Sequence, residues 1–204
     1  MKKILNNVLC AVLAAAMIFS FSSCSKANSM TEENIKNTVA TVETALKEFD
    51  TDTLNKYVSS TTLDYIIKFS SSHEQFAQLG KAIFANLEME VKSVDLQNQT
   101  VTITVSNSKL TEIATIFTEG LKAKYSNTEL LRKLNDDSFL TQSLNVLLEG
   151  INNTSISTEA DITVKVQKGK KNLVLALDET AEDAVSGGAL GCLLYTSDAA
   201  DEAR

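Results

Sequence analysis

Apolar positions recur along the chain with two periods. Ile35, Val39, Val42, Leu46 and Phe49 are spaced by threes and fours, which predicts an amphipathic helix from Thr31 to about Glu48. Thr31 stands where an N-cap belongs, and Glu32 and Glu33 in the first turn favour the helix dipole. Asp50 or Asp52 caps a short second helix carrying Leu54, Tyr57 and Val58. Ser60-Thr61-Thr62 opens a third with Leu63, Ile66 and Ile67 on one face, and a fourth runs from near Ser72 to Leu87. The period then drops to two. Leu87, Met89 and Val91 alternate with Glu88, Glu90 and Lys92; Val101, Ile103 and Val105 alternate with threonines. That is an antiparallel hairpin with one wet face, turning at Asp95 to Gln99. Asn107-Ser108 closes it and can cap a helix carrying Leu110, Ile113, Phe117 and Leu121. A further helical stretch after Asn127 contains Leu130, Leu131, Leu134, Phe139, Leu144, Val146 and Leu147, with a break near Asn135-Asp136-Asp137. A second hairpin pairs Ile162, Val164 and Val166 with Leu173, Leu175 and Leu177 across a turn at Lys168 to Lys171. Asp178-Glu179-Thr180 starts a last short helix that ends in Ser186-Gly187-Gly188. Helices segregate from hairpins, so the expected class is α+β, with N-terminal helices on an antiparallel sheet of two hairpins and a helical insertion between them.

The two ends do not continue this pattern. Lys2 and Lys3 precede an almost wholly apolar run from Val8 to Phe19, which is long enough for a signal sequence and short for a membrane span. Where the run stops, Phe21-Ser22-Ser23-Cys24 resembles a bacterial lipobox, with phenylalanine in place of the usual leucine. The resemblance implies cleavage after Ser23, a diacylglycerol on Cys24, and a protein held on the outer face of the cell membrane. The competing reading is an ordinary secretory signal cleaved near Ser23. At the other end, Cys192 to Glu202 (CLLYTSDAADE) resembles the translation of a transposase sequencing adapter, which implies that residues 192–204 do not belong to the domain. The expected organisation is therefore a signal peptide over 1–23, a lipidated cysteine and polar tether over 24–30, and one α+β domain over 31–191.

Composition then narrows the chemistry. The chain has three cysteines, one histidine, seven glycines and no proline or tryptophan, with a formal charge of -7. The acidic balance argues against a nucleic-acid or anionic-membrane surface, which needs clustered Lys and Arg. With Cys10 in the signal, Cys24 lipidated and Cys192 in the tail, no thiol remains for a disulfide, a metal or a nucleophile. The order of elements, with the Ser106-Asn107-Ser108-Lys109-Leu110 exit from the first hairpin and the Lys168-Gly169-Lys170-Lys171-Asn172 turn in the second, resembles a family of lipoproteins of Gram-positive gut bacteria. That family has a cystatin-like or nuclear-transport-factor-2-like domain. Its last hairpin often carries Asp-Gly-Lys-Trp-Lys, and the tryptophan is missing here. The resemblance implies a curved sheet wrapped by helices in a cone, with no particular activity.

Candidate chemistry is sparse. His73 beside Ser70 to Ser72 admits a Ser-His arrangement, set against a solvated helix start. One histidine without a spare thiol leaves no zinc set, and Asp136-Asp137 lacks a calcium loop and suits a helix cap better. Glu88, Glu90 or Asp95 would serve as a general base only if buried in a cone, whereas Leu87, Met89 and Val91 mark the opposite face as core. Tyr57, Tyr65 and Tyr125 suit a pocket lining or packing equally. Lys168, Lys170 and Lys171 form a basic turn suited to lipid headgroups or an acidic partner, or simply to solvent. No phosphate-cradling glycine loop, nucleophile elbow or metalloprotease motif is present, and no cofactor is expected. The expectation is a lipid-anchored extracytoplasmic domain that binds a ligand or an envelope protein and no nucleic acid. The alternatives are a small enzyme using one buried carboxylate and a structural spacer.

Overall fold

A computed structural model describes residues 26–71 and 73–194. In chain order its elements are α1 (Glu32–Glu48), α2 (Thr51–Tyr57), β1 (Val58–Ser59), α3 (Thr61–Ser70), α4 (Glu74–Phe84), β2 (Glu88–Asp95), β3 (Thr100–Ser108), α5 (Thr111–Lys124), α6 (Asn127–Lys133), α7 (Asp137–Asn153), β4 (Ser157–Lys168), β5 (Leu173–Ala176), α8 (Glu179–Val185) and α9 (Ala189–Leu194).

Helix starts follow local side-chain chemistry. The hydroxyl of Thr31 accepts from the Asn34 amide at 3.2 Å, and Asp50 and Asp178 cap α2 and α8 in the same way. Ser126 and Glu129 form a reciprocal capping box on α6. Asp136 accepts from the amides of Ser138 and Phe139, so the predicted break is a cap that starts α7. α1 stops at Phe49, whose φ of 51° lies in the left-handed region. Its ring then fills the space beside Gly80 of α4, where a Cβ would overlap it. Glycine there lets α1 and α4 close on each other.

The described strands make one open sheet in the order β1-β5-β4-β3-β2. The two predicted hairpins are β2–β3 and β4–β5, and the long central strands β3 and β4 join them, in register from Thr100↔Lys165 to Ser108↔Ser157. One face is apolar. Val101, Ile103 and Val105 of β3, Ile162, Val164 and Val166 of β4, and Leu173 and Leu175 of β5 belong to one core with Ile35, Val39, Val42 and Leu46 of α1. Each such side chain contributes about 1.5–3 kcal/mol of burial. α1 reaches both β2 and β5, so it lies across the width of the sheet.

The opposite face is wet. Thr104 donates to Asp161 at 2.8 Å, Lys92 pairs with Asp161 at 2.6 Å, and the hydroxyls of Thr102 and Thr163 meet at 3.3 Å. A register shift between Val91 and Ser93 interrupts the outer strand β2. A bulge and a charged lysine on an edge strand oppose pairing with another chain.

Two expectations need correction. Val58 does not continue the second helix: Val58–Ser59 is a short strand that pairs in parallel with Leu175 and Ala176, so the sheet is mixed and not purely antiparallel. The reason is that Val58 is buried between the helices and β5, where the extended backbone is completed by sheet bonding. Asn107-Ser108 does not cap the following helix. Leu110 holds the N-cap position without a side-chain bond, and Asn107 is turned into the core. The last predicted helix does end at the glycine pair. Gly187 has a φ of 63° and its carbonyl accepts from the Leu110 amide at 2.7 Å. α9 then packs against α5 and runs on through residue 191 into the stretch that resembles adapter sequence.

Candidate functional site

Phe21, Ser22, Ser23 and Cys24 lie outside the described residues. Residues 26–30 are not a loose tether but a turn held from two sides. The Ser29 amide donates to the Lys26 carbonyl at 2.8 Å, and the Asn34 side chain of α1 donates to the carbonyls of Lys26 and Ser29 at 3.2 and 2.9 Å. The Asn28 side chain donates to the carbonyls of Gly169 and Lys170 at 3.3 and 3.4 Å, and Met30 packs against the core. The start of the domain is thus tied to the β4–β5 turn. Cys24 is two residues from Lys26, so their Cα atoms lie no more than about 7 Å apart.

The turn itself is built by Asn172. Its carbonyl accepts from the Gly169 amide at 2.9 Å, and its side chain donates to the carbonyls of Lys56 and Leu173, both at 2.8 Å. Lys56, at the end of α2, therefore stands beside Lys168, Lys170 and Lys171, and all four are exposed. The β2–β3 turn emerges at the same end of the sheet, since Thr100 pairs with Lys165 and the Val166 amide donates to the Gln99 carbonyl at 2.7 Å. Strands are about 4.8 Å apart, which sets the two turns about 10 Å from each other. In the β2–β3 turn Asp95 accepts from the amides of Gln97 and Asn98 and from the Asn98 side chain. The bonds from Asn98 hold its carboxyl below the ordinary carboxylate value. Leu96, at the tip of this turn, is 48% exposed.

Buried polar groups that sequence reasoning missed fasten the helices to the rest of the sheet. Glu182 of α8 is 6% exposed, and its carboxylate accepts a short hydrogen bond from the Ser60 hydroxyl. Ser60 Oγ in turn accepts from the Leu63 amide at 2.9 Å, capping α3. Asn107 is 2% exposed; its amide group donates to the carbonyls of Ile83 and Val185 at 3.0 and 2.7 Å, and its oxygen accepts from Ser108 N at 2.7 Å. It ties the last turns of α4 and α8 to β3. The signal for Asn107 was present, because period two along Val101, Ile103 and Val105 places it on the buried face. No local signal marks Glu182, whose partner is far away in sequence.

The remaining candidates stay apart. Glu88, Glu90 and Asp95 are exposed on the wet side or at its end, so none is the buried base that the enzyme reading needs. The Ser70 hydroxyl is committed to the Ile67 carbonyl at 2.8 Å, and the His73 ring packs edge-on against Phe76. Tyr57 packs on the core, Tyr65 is exposed, and Tyr125 stacks edge-on with Phe139 beside Lys133. Among the described residues, no group of three His, Cys, Asp or Glu side chains is arranged to hold a metal ion. Among them also, no helix is long and apolar enough to cross a membrane. Comparison with protein-family models, curated proteins and solved structures finds no match. The functional reading therefore rests on the chain itself.

Proposed function

We propose that the chain is a lipoprotein, acylated at Cys24 and held on the outer face of the cell membrane, whose α+β domain binds a ligand or another envelope component. The observation that carries this reading is a junction: the apolar leader ends at Phe21-Ser22-Ser23-Cys24, and the folded domain begins two residues later. A lipid on Cys24 would hold firmly, since each buried CH2 contributes about 0.8 kcal/mol and a diacylglycerol carries two chains. The long α1 across a one-faced sheet supports a cystatin-like arrangement in which helices wrap the apolar side.

The enzyme reading keeps one specific observation, the buried carboxylate of Glu182. Its engagement by Ser60, which also caps α3, favours a structural clip over a base waiting for substrate. The proposal is tested by Cys24→Ala. The variant is expected to leave the membrane fraction and to lose incorporation of labelled palmitate; a variant that stays membrane-bound refutes lipid anchoring.

A further inference from the structure

The geometry points to the hairpin end of the sheet as a surface that lies on anionic phospholipid headgroups. This inference rests on acylation of Cys24 for the distance between surface and bilayer, and on the lysine cluster for the chemistry. Lys26, Lys56, Lys168, Lys170 and Lys171 are all exposed at this end. They come from three separate stretches of sequence, brought together by Asn28 and Asn172. The chain as a whole is acidic, at -7, so the clustering is local and does not follow from composition. Glu32 and Glu33 lie one step inside α1, where Glu32 is paired with Lys36 at 2.7 Å.

The bound start of the domain decides the orientation. Had residues 26–30 been a free tether, the domain would tumble above the membrane with any face down. Hydrogen bonds from the side chains of Asn34 and Asn28 remove that slack, leaving at most about 7 Å between the Cα atoms of Cys24 and Lys26. The attraction of an anionic surface extends about one Debye length, roughly 8–10 Å at physiological salt. Asn28 is four residues from Cys24, at most about 14 Å along the chain, and its side chain holds the backbone of the β4–β5 turn, so the long side chains of the turn lysines can reach down toward that range. Leu96, at the neighbouring tip, offers an apolar side chain to the interface. Each lysine close to an anionic surface strengthens binding about fivefold.

The test uses the full acylated chain in vesicles of phosphatidylcholine alone or mixed with phosphatidylglycerol. Lysines are acetylated with an amine reagent and read individually by mass spectrometry. Lys56, Lys168, Lys170 and Lys171 are expected to react at least fivefold more slowly on the mixed vesicles, with the difference abolished by high salt. Lys81 and Lys109, toward the opposite end of the sheet, should react equally on both. Equal rates for the turn lysines on the two vesicle types, or protection shared by Lys109, would overturn the inference. Failure of the anchor is read separately, as absence of palmitate on Cys24. In that event the unacylated full chain is sedimented with the same vesicles at low salt. It should prefer the phosphatidylglycerol vesicles, and the triple variant Lys168→Gln, Lys170→Gln, Lys171→Gln should bind at least tenfold more weakly. No preference between the vesicles, or an unchanged triple variant, also overturns it.

Discussion

Replacing Asn107 by alanine tests the internal logic of the domain, because this one side chain holds two helices to the sheet. The variant removes donors to the carbonyls of Ile83 and Val185 and an acceptor for the Ser108 amide, all in a site with 2% exposure. Those carbonyls belong to the last turns of α4 and α8, where no further helical amide follows to bond them. Three hydrogen bonds with a net worth near 1 kcal/mol each give about 3 kcal/mol, and desolvated partners left without a bond raise the cost toward 5 kcal/mol. That is a large share of a total stability of about 5–15 kcal/mol. Urea unfolding of Asn107→Ala should show a much lower midpoint at an unchanged slope. Asn107→Asp keeps the volume but faces an oxygen toward two carbonyl oxygens, so it should be no better than alanine at neutral pH. Thr102→Ala, on the wet face of the same strand, should stay within about 0.5 kcal/mol. A loss below about 1 kcal/mol for Asn107→Ala would refute the clamp.

Further expectations concern the other buried contacts and the exposed carboxylates. A double-mutant cycle between Ser60→Ala and Glu182→Gln should give a coupling of about 1–3 kcal/mol, measured by urea unfolding; additive effects would show that the two side chains do not act as a pair. Gly187→Ala would bring a Cβ onto the Ser108 carbonyl at a positive φ, and should lower stability by about 3 kcal/mol or abolish folding; a melting point like that of the parent contradicts the tight approach. Asp161 is held below the ordinary carboxylate value by its bonds from Lys92 and Thr104. Its contribution to stability is therefore complete above that ordinary value and is lost as pH falls through the lowered one. Carboxyl NMR titration should show this, and Lys92→Met should raise the Asp161 value; no change would mean the ion pair does not form in solution.

Sequence and structure agree where local chemistry decides. Alternation located β2 through β5, and single oxygens at Thr31, Asp50 and Asp178 set the starts of their helices as expected. β1 was hidden because two residues cannot display a period, and Tyr57-Val58 fits a helical face as well as a strand. The mixed sheet follows from that miss. Leu131 and Val146 read as part of an apolar helical pattern, yet both are largely exposed: Leu131 lies on α6, which buries none of its residues, and Val146 lies off the line of Leu140, Leu144, Leu147 and Ile151 that α7 buries. The candidate surface was half legible. The lysine turn lies in one short stretch of sequence and could be read directly. The link between the start of the domain and that turn depends on Asn28 bonding to the backbone of Gly169 and Lys170, a pairing across the whole domain that no local pattern reveals. The same applies to Glu182 and Ser60, each ordinary in its own segment.

Lipid anchoring is tested most directly by the chemistry of the mature N-terminus. Protein isolated from membranes and digested with trypsin should yield Cys24-Ser25-Lys26 as its first peptide, with a diacylglycerol thioether on the cysteine. A mature chain that begins elsewhere, or that carries Cys24 as a free thiol, would contradict it.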